Sequence, residues 1–196
     1  MLETDYITLL GHNWEDLMEA AIENLLQDNI VGVLPKEHIQ DTPKRVVKAY
    51  KEYMEGVPQK PEDILKTFPL GDHASMILVT DIPVVSLCMH HMMPFTGVAH
   101  FGYIPHRQLV GLSKIARLID ALSRRPQLQE RLSDQIVHEF AYYVQPKGCG
   151  VVIEAMHTCM CIRGAKAVGA MTKTQSLSGS FKLIAGVKSE FLAAIK

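Results

Sequence analysis

Leu128, Leu132, Ile136, Phe140 and Val144 recur at strict four-residue steps. Side chains four apart lie over one another on a helix, so this run predicts a helix, starting at Pro126, with one continuous apolar stripe. Such a stripe needs a broad apolar partner. A helix just before it offers Ile115, Leu118, Ile119 and Leu122 on its own face, with Ser113 as the expected cap. The flanking tracts have a different rhythm. Met76–Val85 is rich in Ile and Val and predicts a strand, and Thr96–Ile104 predicts a second. After the helices, Gly148-Cys149-Gly150 breaks the helical pattern. Val151–Met156 then predicts a third strand, and the tract Ala170–Phe181 holds a fourth. The order strand, strand, helix, helix, strand, strand places the chain in the α+β class, as a four-stranded antiparallel sheet with two helices on one face. A short helix over Lys188–Ile195 follows.

The N-terminal part reads as helical. Trp14, Leu17, Met18, Ala21, Ile22, Leu25 and Leu26 form one stripe, with Asn13 as its cap. A second helix is expected to start with Thr42 as N-cap and Pro43 in the first helical position, and to run to Gly56. Val57–Lys66, with Pro58 and Pro61, reads as a linker. The expected division is residues 1–66 as a helical appendage with linker and residues 67–196 as the domain that carries the sheet.

With 196 residues, 47% of them hydrophobic, the chain can bury one substantial core. The formal net charge of -1 argues against a nucleic-acid partner, and any anionic ligand must be met by a local cluster. The opening MLETDYITLLGHNWEDL has no charged region followed by an apolar stretch, and no apolar run reaches the roughly 18 residues of a membrane span. The expectation is a cytoplasmic protein with no signal peptide and no membrane partner. Cys88, Cys149, Cys159 and Cys161 are then better read as metal or catalytic groups where they cluster than as a disulfide framework.

Two clusters stand out. Ser86–Phe95 holds Cys88, His90 and His91, and Met156–Cys161 holds His157, Cys159 and Cys161. Thiolate plus imidazole is a zinc combination. Cys88 and His91 stand at C-x2-H spacing, which suits a turn leaving the first strand, and Cys159 would supply a third ligand from the third strand. Three protein ligands leave a position for water, the mark of a catalytic zinc site. A fourth ligand from His90, His157 or Cys161 would instead close the site as a structural one. On a strand His157 would share a face with Cys159. His157 and His90 are thus placed to move protons beside the metal. Cys161 shares that expected face and competes with Cys159 for the ligand role. Cys149, His12, His38, His73 and His138 stand alone and read as structural residues.

An anion-binding group is also present. Ser113, Lys114 and Arg117 stand at the start of a helix, where free N–H groups and the helix dipole favour phosphates. Arg163 follows the second metal cluster and could grip a phosphate bidentately. Between Lys114 and Arg131 five basic residues face two acidic ones in sequence. Gln129 and Glu130 open the next helix. A carboxylate there can accept from the ring N–H and exocyclic amine of a guanine.

The runs CMHHMMPFTGVAHFGYIP, GLSKIARL, RRPQLQERLSDQI and AMHTCMCIRG, with DTPKRVVKAY near residue 41, together resemble GTP cyclohydrolase I of the zinc-dependent type, in order and spacing, from about residue 41 to Phe181. The resemblance implies the tunnelling fold, whose subunits carry two strands, two helices and two strands. It also implies a decamer of two pentamers, with active sites between subunits and GTP as substrate. It implies that Cys88, His91 and Cys159 hold Zn2+ and that His90 and His157 transfer protons. Gln129 and Glu130 would hold the guanine. Ser113, Lys114, Arg117 and Arg163 would contact the ribose and triphosphate, and Arg45 and Lys48 the triphosphate from a neighbouring subunit. The implied reaction starts with zinc hydroxide attacking carbon 8 of guanine, releases formate and closes to 7,8-dihydroneopterin triphosphate. One position departs from the pattern: the family usually reads C-E-H-H, and here Met89 replaces the Glu.

Two other readings compete. Zinc nucleobase deamination needs H-x-E and P-C-x-x-C, and neither occurs in the chain. A degenerate relative that binds GTP without turnover is favoured only by Met89.

Overall fold

The computed structural model describes residues 13–30, 35–71 and 75–195. His12, His73 and the side chain of His38 lie outside what is described. The chain divides into two compact units, Met1–Glu52 and Tyr53–Lys196.

In the first unit Asn13 Oδ1 accepts from the backbone N–H of Glu15 at 3.4 Å, and α1 (Trp14–Ile30) starts behind this cap as expected. Its apolar stripe is not fully covered, since Leu17 and Leu25 remain about half exposed. A single turn, α2 (Lys36–Ile39), precedes α3 (Thr42–Tyr53). Arg45 N bonds Asp41 O at 3.1 Å, so the helix opens at Asp41, one residue before the expected cap. It ends at Tyr53 and does not reach Gly56.

The second unit begins with a stretch that is more than a linker. Residues 61–64 form the turn α4 (Pro61–Ile64), and Leu65 is buried in the core. Arg125 fastens this stretch: its Nε donates to Gly56 O at 3.0 Å, and a terminal nitrogen donates to Gln59 O at 2.7 Å. Two short strands, β1 (Thr67–Pro69) and β4 (Gln108–Val110), pair antiparallel with each other.

The main sheet holds β2 (Ile77–Cys88), β3 (Met93–Ile104), β6 (Gly148–His157) and β7 (Thr172–Gly179), consecutive neighbours all antiparallel. The four-stranded antiparallel expectation holds for these. A fifth, two-residue strand, β5 (Pro126–Gln127), adds in parallel to β2. Pro126 therefore belongs to a strand and not to the helix after it. The crossover helices are α5 (Leu112–Ser123) and α6 (Gln129–Val144). Ser113 does not cap α5: Gly111 holds the cap position and no side chain bonds there. Gln145, at φ 51, closes α6 in the left-handed conformation.

Alternation along β6 sorts the two faces of the sheet. Val151, Ile153 and Ala155 point into the main core with Phe101, Tyr103, Leu118, Leu122, Leu132, Ile136 and Phe140, so α5 and α6 cover that face. Val152 points the other way, into a smaller cluster with Phe181 and Phe191. Phe181 is on the turn α8 (Ser180–Leu183), and Phe191 on α9 (Ala185–Ala194). Gly102 and Gly150 are direct cross-strand partners between β3 and β6. A Cβ at Gly102 would lie 3.0 Å from the Phe191 ring, and one at Gly150 2.5 Å from Leu177. The glycine pair thus forms a hollow in which the fully buried Phe191 seats α9. Among the described residues no helix is long and apolar enough to cross a membrane.

Candidate metal centre and active site

Antiparallel pairing brings the end of β2, the start of β3 and the end of β6 together. Cys88 is the last residue of β2 and pairs with Met93, while Phe95 pairs with His157. The intervening turn, residues 89–92, folds back on Cys88: its carbonyl accepts from His91 N at 3.2 Å and from Met92 N at 2.8 Å. Met92 takes the left-handed φ of 52 that the tight reversal requires. His91 is thereby turned toward Cys88, as the C-x2-H spacing predicts.

Cys159 arrives differently from expectation. β6 ends at His157, and residues 158–161 form one helical turn, α7 (Thr158–Cys161). Thr158 Oγ1 donates to Pro94 O at 2.6 Å and ties this turn to the start of β3. Cys159 is thus delivered by a turn, and the strand-face argument for its direction does not apply. The outcome is the expected one: ligand atoms of Cys88, His91 and Cys159 all lie within 4.8 Å of one another. Cys161, equally buried, is not part of that group.

The donor set fits zinc. Tetrahedral ligation at Zn–S of about 2.3 Å and Zn–N of about 2.0 Å places donors about 3.5–3.8 Å apart, compatible with donor atoms that all lie within 4.8 Å of one another. Burial and the facing thiol of Cys88 push the Cys159 thiol up, while the charge of Arg163 opposes this. Two thiols facing each other favour the protonated form, and a divalent cation between them reverses that preference.

His157 is the last residue of β6 and directly precedes α7. Its ring stacks on the buried Phe95, with centroids 4.4 Å apart and planes 10° apart. Its Nε2 is 2.8 Å from Gln129 Oε1. Burial pushes the imidazole below its usual range, and the Glu130 carboxylate acts against that shift. His90 is exposed and meets the ring of His91 edge-on at 6.2 Å. Met89 is also exposed, with its backbone N–H bonded to Gln127 O at 3.0 Å.

Gln129 and Glu130, expected as a pair, part company. Glu130 is exposed on the first turn of α6. Gln129 is buried, and its Nε2 donates to Ile153 O and Thr172 O, both at 3.0 Å. Ser113 and Arg117 are exposed on the first turns of α5, and Lys114 is half-buried there. Arg163 is exposed just beyond α7 and close enough to act on the Cys159 thiol. In the first unit, Arg45 pairs with Asp41 at 3.4 Å and Lys48 is exposed.

A sequence profile described as GTP cyclohydrolase I matches residues 18–196. The chain belongs to the GTP cyclohydrolase I family. GTP cyclohydrolase 1 of Caldanaerobacter subterraneus subsp. tengcongensis is 41% identical over 183 residues, 92% of this chain and 96% of that protein. GTP cyclohydrolase 1 of Streptomyces griseus subsp. griseus is 46% identical over 188 residues, 91% of this chain and 92% of that protein. Among solved structures, an archaeosine synthase QueF-Like in the apo form overlaps 55% of this chain and 97% of its own, at 16% identity and a TM-score of 0.46. That likeness is too slight to add to the family assignment.

The GTP cyclohydrolase I match spans all the residues of the Cys-His-Cys cluster and both helices that carry the basic residues. Three supporting contacts were not among the expected site interactions. Phe95 stacks under His157, Thr158 anchors α7, and Thr174 joins Ser133 and Gln129 through contacts of 2.7 and 3.2 Å. Each contact crosses between strands or between helix and strand. Only the Phe95 position carried a signal, as an aromatic within the first cluster.

Proposed function

We propose that this member of an enzyme family converts GTP and water to 7,8-dihydroneopterin triphosphate and formate, the first step of pterin, folate-type or deazaguanine synthesis. The observation that carries the reading is the convergence of Cys88, His91 and Cys159, with His157 at the cap of the turn that delivers Cys159. Cys88, His91 and Cys159 would hold Zn2+. When bound, the metal would supply Lewis acidity and make a water nucleophilic near neutral pH.

The remaining chemistry belongs to side chains. His157, whose imidazole is pushed below its usual range by burial, is suited to take a proton as water adds to carbon 8 of guanine and to return it as the imidazole ring opens. His90, exposed beside His91, would carry protons between that centre and solvent during deformylation and ring closure. Glu130 would accept from the guanine N–H and exocyclic amine. Gln129, whose amide hydrogens are already engaged, would serve the guanine subsite from behind. Ser113, Lys114, Arg117 and Arg163 would meet the ribose and triphosphate at the start of α5 and after α7, where N–H groups and guanidinium forks suit phosphate oxygens.

Catalysis would rest with residues 67–196, to which the stretch from Tyr53 belongs as part of one unit, and the appendage would be Met1–Glu52. Arg45 and Lys48 would reach the triphosphate of a neighbouring subunit in a decamer of two pentamers, in the cytoplasm. Among the described residues β7 is an edge strand of the sheet, which supports sheet pairing between subunits.

The test is paired: zinc per subunit and formate released from GTP by the same preparation. About one zinc per subunit with formate release supports the proposal. Zinc without formate release favours a GTP-binding relative that has lost turnover, the reading that Met89 suggests.

A further inference from the structure

The amide of Gln129 has only one orientation that its surroundings allow. One end faces two backbone carbonyl oxygens, Ile153 O and Thr172 O, each at 3.0 Å. Carbonyl oxygens accept and never donate, so that end is the NH2 group, and its two hydrogens are used there. Thr174 Oγ1, at 3.2 Å from the same nitrogen, shares one of them. The other end is therefore the carbonyl oxygen, and it faces His157 Nε2 at 2.8 Å. An oxygen in that position requires a donor opposite it.

The amide cannot turn over to relieve this. A flipped Gln129 would set its oxygen against two carbonyl oxygens in a site that is 1% exposed. Its backbone is held as well. Ser133 Oγ donates to Gln129 O at 3.0 Å and lies 2.7 Å from Thr174 Oγ1, so α6, β6 and β7 are joined at this point. Stacking on Phe95 sets the plane of the imidazole, and Nε2 is the ring atom that meets Gln129 Oε1.

We propose that Gln129 is a positioning residue that holds His157 as the Nε2–H tautomer, leaving Nδ1 as the atom that accepts and returns the proton. This rests on the reading of His157 as a proton-transfer group. It gives Gln129 a different task from contact with guanine: the side chain acts through His157 and does not touch the base. A neutral imidazole offers one acceptor and one donor, so fixing the donor at Nε2 decides which ring nitrogen does chemistry.

The experiment is magic-angle-spinning NMR on the full-length, zinc-loaded protein with 13C,15N-labelled histidine, at about pH 8.5, above the ordinary imidazole range. His157 is assigned by the resonance lost in His157→Gln. The expected result is a protonated ring nitrogen correlated to Cδ2, which identifies Nε2–H. A protonated nitrogen correlated to Cγ, or an equal mixture, overturns the proposal, and this arm needs no variant of Gln129 to fold. In Gln129→Leu both tautomers are expected, with unchanged zinc. The kcat for formate release should fall about tenfold or more, with KM for GTP within about threefold. A raised KM with unchanged kcat would return Gln129 to the guanine subsite and overturn the positioning role. Full activity in His157→Ala would instead overturn the proton-transfer reading, a failure the tautomer spectrum does not share.

Discussion

Cys159 and Cys161 are two positions apart and both buried, yet only Cys159 converges with Cys88 and His91. The helical turn α7 makes the difference, because neighbours two apart on a helix point in divergent directions. Cys159→Ser should therefore lose zinc and formate release together, measured by metal analysis and a formate assay. Unchanged metal content would move the ligand role to Cys161. At the neighbouring motif, Met89 is exposed beside the first ligand and sits where the family pattern carries a Glu. A restored carboxylate would place a negative charge near the cation. Met89→Glu should raise zinc affinity or turnover by up to about tenfold, read by competition with a chelator and by formate release. The cluster of Cys88, His91 and Cys159 was legible because its residue types and spacing survive in sequence. The division between Gln129 and Glu130 was not, because two adjacent residues in a helix differ only in which one the sheet covers.

Among the elements, α5 and α6 were the easiest to read and α9 was only partly foreseen. The four-step stripe from Leu132 to Val144 is almost wholly buried, so sequence period and structural face coincide. Only its first member misleads: Leu128 precedes the helix, and Pro126 extends β2 as a short parallel neighbour. Val57–Lys66 misleads in the same way, since proline content signals a break in helix without saying whether the chain then packs. The seat of α9 was invisible, because a cross-strand pair such as Gly102 and Gly150 depends on register. Gly150→Ala would press a methyl against Leu177 and Phe181. Overpacking of this kind should cost about 1–3 kcal/mol. Thermal unfolding would show a lowered Tm, while zinc content should be retained because the ligands stand at the far end of β6. An unchanged Tm would mean that α9 shifts freely.

For the whole molecule, the alkaline limb of stability is set from inside the core. Burial pushes the Cys149 thiol up to about 11 from an ordinary 9.0, against the hydrogen bond to Ser178 that lowers it. The folded value is raised, so the contribution is fully present below about pH 9 and is lost as pH climbs toward 11. The loss should reach about 2 kcal/mol by pH 10.5. Tyr103, raised by its burial, adds a loss of the same sign. The midpoint of urea unfolding should fall steeply between pH 9 and 10.5, and Cys149→Ala should flatten that fall. An equal slope in the variant would assign the effect to tyrosine alone.

Register also links assembly to chemistry. Cys88, His91 and Cys159 meet only because β2 pairs with β3 and β3 pairs with β6 in one alignment. A slip of one residue in either ladder would send alternate side chains to the opposite face and part the three donors. An ion gripped there would act as an inspector of strand alignment: it would stay with correctly paired chains and leave the rest empty. Metal stoichiometry would then count the fraction of molecules whose strands paired in the right register.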